Sequence, residues 1–214
     1  MREQFVALVR NALLLREDAW RELRDTPGFT LATLALAAAA LLSGGFGAYL
    51  WAVVADVQQI PDISPGKSDF LLDAFILGSV IAALLWLGGV VVAYAVLTQV
   101  YRETVAADAL LRIAAVGAAP FALGVLVWIP GIGYGIGLMS IALMFFLTVF
   151  GVRVAYPAIE PGRVVVALVA GFAVLAMVLP LLSDTGRPLT PGAFVFEWSE
   201  DMIEESFASI DLAE

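Results

Sequence analysis

Five long apolar stretches alternate with short polar segments along this chain, and that alternation predicts a bundle of membrane-spanning helices. The stretches run over about 29–54, 71–100, 112–129, 132–154 and 163–182. The second is long enough to tilt or to emerge at its ends. Pro130-Gly131 separates the third from the fourth, so these two form a tight helical hairpin. Trp51 and Trp128 fall near span ends, where interfacial aromatic side chains sit.

The two ends of the chain follow other patterns. In residues 1–25, Phe5, Val9, Leu13, Trp20 and Leu23 recur at helical spacing among charged positions that include Arg10, Arg21 and Arg24. This predicts an amphipathic helix that either lies in the membrane interface or packs against the cytoplasmic ends of the bundle. Thr26 and Pro27 read as an N-cap and first-turn proline for the next helix. Beyond residue 182 the chain turns acidic. Pro188, Pro191 and Gly192 make a loop, and Ser199 with Glu200 and Asp201 resembles a helix start. Met202, Ile203, Phe207 and Ile210 then supply an apolar stripe, so the tail reads as a short acidic helix, or as disorder when nothing is bound. The expected organisation is a cytoplasmic amphipathic segment (1–28), a five-helix transmembrane domain (29–182) and an acidic extracytoplasmic tail (183–214). The fold class is all-α.

Composition agrees with this reading. The chain is 62% hydrophobic and 14% charged, whereas soluble domains carry roughly 45–50% apolar and about 25% charged residues. The first 28 residues hold five Arg and five acids with no separate apolar core and cleavage site. The first span is therefore expected to stay as an anchor rather than leave with a signal peptide.

Charge orients the bundle. Arg2, Arg10, Arg16, Arg21, Arg24, Arg102, Arg112, Arg153 and Arg163 fall on one side of a five-span layout, and only Lys67 and Arg187 on the other. The positive-inside rule then predicts a cytoplasmic N-terminus and an extracytoplasmic C-terminus in a cell membrane. The acids run the other way, with four in the first outer loop and its flank and eight in the tail, against eight inside. The net charge of −9, a single Lys among eleven Lys and Arg, and many Ala and Val suggest a salt-loving source.

The chemistry available is narrow. With no Cys and no His, disulfides, thiolate chemistry, histidine metal sites and histidine acid–base catalysis are excluded. Ser140 lies mid-span with no His to activate it, and no span interior holds the two facing Asp residues an aspartyl protease needs. No carboxylate lies near a predicted midplane, which argues against an ion-coupled transporter. Glu103 and Asp108 are the only inner-loop carboxylate pair for lipid-modifying chemistry. The inner Arg residues are interleaved with acids, which speaks against nucleic-acid binding. No catalytic, cofactor or metal site is expected.

Structural roles account for the remaining motifs. Gly131, Gly133, Gly135 and Gly137 do not form a dinucleotide fingerprint, since Ile136 stands where its third Gly belongs. They form two overlapping small-xxx-small pairs that let helices approach closely. Asp73 lies at the outer start of the second span, and Arg112 and Arg153 lie at inner span ends, where snorkelling and topology setting are their expected roles. Asp108 and Arg112 stand at helical i, i+4 spacing, worth a few tenths of a kcal/mol on a helix surface.

Two stretches, YRETVAADALLRIAAVGAAPFALG (Tyr101–Gly124) and IALMFFLTVFGVRVAYPAIEPGRVVVALVAGF (Ile141–Phe172), resemble the Yip1 domain of polytopic membrane proteins. The similar features follow in order: a short polar loop after the second span, a helix entering with Leu111-Arg112-Ile113 and carrying Pro120, a hairpin, a span ending in Gly151-Val152-Arg153, and a last span rich in small residues. Trp20, Arg21 and Leu23 shortly before Pro27 also resemble the start of prokaryotic members. The resemblance implies a five-helix bundle with a cytoplasmic N-terminus and a scaffolding or membrane-shaping role with no defined reaction. Eukaryotic relatives associate with small prenylated GTPases, but this chain lacks their Asp-Leu-Tyr-Gly-Pro signature, so GTPase binding does not carry over. The expected function is that of a non-enzymatic membrane-organising protein. Its expected partners are membrane lipids and either a membrane-protein partner or a second copy. The alternative is a transport or channel component in which Pro120, Pro130 and the glycine string loosen helices around a path.

Overall fold

Hydrocarbon offers no hydrogen-bond partners, so each apolar run must satisfy its own backbone. The computed structural model describes residues 2–54, 71–129 and 132–183, and among them the chain meets this demand with helices alone. Two short helices come first, α1 (Arg2–Leu13) and α2 (Glu17–Asp25). A 3-10 turn, Pro27–Phe29, leads into α3 (Thr30–Val54). Helix α4 (Leu71–Val100) has π-helical turns at both ends, Leu71–Leu77 and Val96–Val100. Then come α5 (Ala107–Gly117), with a 3-10 continuation over Ala119–Leu126, α6 (Gly133–Ala155) and α7 (Pro161–Ser183).

Four helical stretches are long and apolar enough to cross a membrane: Pro27–Trp51, Leu71–Val100, Ala107–Leu126 and Gly133–Ala155. The opening of α7, Pro161–Ala173, is a shorter apolar stretch among the described residues. The third span starts at Ala107, five residues before the sequence expectation, because the helix takes in Asp108 in its first turn. Its second half is 3-10 because Pro120 offers no amide and its ring is incompatible with a continuing α-helix. With eight residues at the longer 3-10 rise, this 20-residue stretch is about 34 Å long, enough to cross the hydrocarbon core.

The N-terminal segment is two helices, not one. Helix α1 ends in a Schellman turn: the Leu15 amide donates to the Ala12 carbonyl (2.9 Å) and the Arg16 amide to the Asn11 carbonyl (3.0 Å). Leu15 occupies the left-handed position at φ 60°, where glycine is usual. A leucine there costs about 1 kcal/mol. Leu15→Gly is therefore expected to raise the thermal midpoint in detergent slightly, part of the gain being lost to glycine's greater unfolded freedom. A fall of several degrees in the midpoint would mean the Leu15 side chain holds the turn together.

Two apolar clusters hold the helices. One gathers Leu8, Ala12, Trp20, Leu23, Phe29, Leu97, Leu110, Ile113, Val152 and Val164 at the end of the bundle that carries α1 and α2. The other packs Trp86 among Ala37, Leu41, Ala114, Ala115, Ala118 and Met144 further along the bundle. Helices α4 and α7 cross backbone to backbone, where a Cβ on Gly89 would stand 3.0 Å from the Gly171 carbonyl oxygen.

Candidate functional site

A buried polar cluster lies where α2 docks onto the bundle. Helix α2, EDAWRELRD, places Ala19, Trp20 and Leu23 on one face, and all three are buried. Trp20 is fully enclosed. Its ring meets Phe150 edge-on at 6.4 Å between centroids and lies against the backbone of Gly151. A Cβ at 151 would collide with the Trp20 ring and would also stand 2.8 Å from Ile113 Cγ2. Glycine at 151 is thus what lets α2 close onto α6.

The last carbonyls of any helix lack partners within it. In α2 they are taken by Arg112 of α5, whose Nε donates to the Leu23 carbonyl (2.7 Å) and Nη2 to the Arg24 carbonyl (2.6 Å). Nη1 donates to Thr30 Oγ1 (3.0 Å) and to Asp108 Oδ2 (2.7 Å). Arg112 is only 1% exposed, while the Asp108 side chain is 56% exposed. The snorkelling expected of Arg112 is therefore replaced by a buried cap, because carbonyls at the negative end of the α2 dipole supply the acceptors that water would otherwise give. The expected surface-type pair with Asp108 is instead one arm of this four-acceptor hub.

Two further knots surround the hub. Arg24 grips Asp25 through two bonds (2.7 and 2.9 Å), donates to the Ala155 carbonyl at the end of α6, and sits 6.0 Å from the Tyr156 ring centre. The hydrogen bond from Arg24 holds the Asp25 carboxyl below its usual range. Burial pushes the Tyr156 phenol above its usual range, and Arg24 opposes this in part. Among the described residues the buried Trp20 indole N–H has no hydrogen-bond partner; the Ala106 amide, like Arg24, opposes the upward shift of the buried Tyr156 hydroxyl. Arg163 at the start of α7 donates to Glu103 (2.7 Å), lies 3.3 Å from Glu160 and stacks 5.6 Å from the Tyr101 ring centre. The loop after α4 is thereby tied to α7.

Of the residues singled out in the sequence, Arg112 and Gly151 meet at this site, both gripping α2. Arg153, two residues on, is exposed in the last turn of α6, where its charge suits the helix dipole. Pro120, Gly133 and Gly137 lie elsewhere. Pro120 is buried in the 3-10 segment, Gly133 is pressed against the Val127 carbonyl, and Gly137 is buried on α6, its carbonyl accepting from Ser140 (2.7 Å). Gly131, like Pro130, Lys67 and the acidic tail, lies outside the described residues. Thr30 and the backbone of Leu23 and Arg24 belong to the site without any sequence signal of their own. The Thr26 side chain makes no capping bond, and Thr30 bonds to the Pro27 carbonyl instead (2.9 Å).

Among the described residues no three carboxylates converge as a metal site would require. What the arrangement does chemically is hold: three guanidinium groups tie α2, the α4–α5 loop and the start of α7 to one end of the bundle. Comparison with family models, curated proteins and solved structures finds no match for this chain.

Proposed function

We propose that the protein is a non-enzymatic, Yip1-like membrane protein that organises its membrane through lateral protein contacts and lipid contacts. The observation that carries this reading is the hub at Arg112, which converts a short amphipathic helix into a fixed part of the bundle's polar end. A fixed end offers a constant surface to a partner. The sequence resemblance over Tyr101–Gly124 and Ile141–Phe172 supports the same reading. In it α7, 23 residues long, serves as the fifth span. The nine-to-two distribution of Arg and Lys supports a cytoplasmic position for the end bearing α1 and α2.

The test is purification of the full chain from its native membrane in mild detergent, followed by mass spectrometry of co-purifying proteins and lipids, with proteoliposome assays alongside. A stoichiometric membrane-protein partner or an enriched lipid class is the expected result. Solute flux above that of empty liposomes, or turnover of lipid or peptide by the purified protein, would contradict it.

A further inference from the structure

The two short helices present opposite kinds of surface. Helix α1 buries Leu8 and Ala12 and half-buries Phe5 and Val9, with Phe5 against Phe29 at 5.6 Å between ring centres. Its other face runs Arg2, Val6, Arg10, Leu13 at steps of four, four and three residues, and all four are exposed. The turn that follows exposes Leu14 (64%) and Leu15 (40%), then Arg16. Arg2, Arg10 and Arg16 form no ion pair among the described residues. Helix α2 is the reverse. Its outer positions carry Glu17, Asp18, Glu22 and Asp25, with Arg21 and Arg24 already engaged by acids. Only one acid, Glu3, lies on α1.

We propose that the outer face of α1 and the Leu13-Leu14-Leu15 turn form an interfacial anchor that enters the anionic leaflet of the membrane the bundle spans. The inference deepens the proposed function and rests on its placing this end of the bundle at a membrane surface. Three observations select lipid as the occupant. Aliphatic side chains and unpaired cations interleave along one face, which matches acyl chain beneath phosphate. The acids are sorted onto α2, the face left to water. The contact of Phe5 with Phe29 sets α1 level with the start of the first span, and two residues further on Leu31 is 81% exposed, where a lipid-facing side chain belongs. Leucine at the left-handed position 15 fits as well: inside the protein its exposed side chain recovers little of the backbone cost, and in lipid it has a place.

The chain has no cysteine, so one introduced by mutation is the only labelling point. Leu14→Cys, Asp18→Cys and Leu31→Cys, each nitroxide-labelled in the full chain, would be reconstituted into phosphatidylcholine vesicles with and without phosphatidylglycerol. The ratio of collision with oxygen to collision with a water-soluble nickel chelate is then read. With phosphatidylglycerol present, position 14 is expected to give a ratio several-fold above position 18 and close to position 31. Omitting phosphatidylglycerol, or adding Arg10→Gln and Arg16→Gln, is expected to lower the ratio at 14 and leave 31 unchanged. A watery position 14 with position 31 in lipid overturns the anchor and leaves the bundle reading intact. A watery position 31 overturns the membrane reading together with the anchor. A ratio at 14 insensitive to phosphatidylglycerol removes the anionic part of the proposal. Dipolar broadening at 14 would show a second copy there and overturn the lipid assignment.

Discussion

Arg112→Met is expected to loosen α2 from the bundle at a cost of about 3 kcal/mol, mainly from leaving the backbone acceptors at the end of α2 unpaired. Four acceptors lose their donor: the Leu23 and Arg24 carbonyls, Thr30 Oγ1 and Asp108. The two carbonyls sit at the end of α2, and a buried carbonyl left unpaired costs about 1–3 kcal/mol. Asp108 contributes less, because its side chain is 56% exposed and water can take over. Arg112→Lys should cost roughly half as much, since a single ammonium cannot span four acceptors set around a planar fork. Asp108→Asn should cost about 1 kcal/mol or less. Thermal unfolding in mild detergent should rank the three variants in that order. Trypsin should cut faster at Arg21 and Arg24 in the methionine variant. A methionine variant as stable and as resistant as the parent would mean the hub contributes no net energy.

Gly151→Leu attacks the same contact from α6. The new side chain would occupy the space of the Trp20 ring and press on Ile113. Overpacking alone costs about 1–3 kcal/mol. If Trp20 is expelled, its burial is lost too, and the total approaches the roughly 3–5 kcal/mol of removing a buried tryptophan. The pairing makes a sharper test than either variant. Trp20→Ala opens the space that Leu needs, so the double variant should be less destabilised than the sum of the singles, by about 1 kcal/mol or more. Strict additivity would mean the two positions do not share space.

The spans were legible because hydrocarbon imposes a simple rule on composition, and the helices of the structure follow the apolar runs closely at α3, α4 and α6. The break at Leu14–Arg16 was not legible. Helix-stop signals are glycine and proline, and here a leucine takes the left-handed position. The early start of the third span was hidden because Asp108 in its first turn interrupts the apolar run by which the span was read. Pro120 signalled a disturbance, but not that the chain would continue as a 3-10 helix. At the site, the residues were visible one at a time and their meeting was not. Arg112 looked like a surface arginine because its acceptors are backbone carbonyls 88 and 89 positions away, and a carbonyl carries no sequence signature. Gly151 stood out only through the family resemblance, and α3, α4 and α5 lie between it and Trp20 in the chain.

The most direct measurement is hydrogen–deuterium exchange of the full chain in lipid nanodiscs, read over α2. Amides of residues 21–25 lie in the fifth and later positions of a nine-residue helix that on its own would be too short to persist in water. Docking by Trp20, Leu23 and Arg112 predicts protection there that approaches that of the adjoining end of α6 and collapses in the Arg112→Met variant. Exchange over 21–25 as fast as in an isolated peptide, in the parent protein, would contradict a fixed polar end and with it the proposed scaffold.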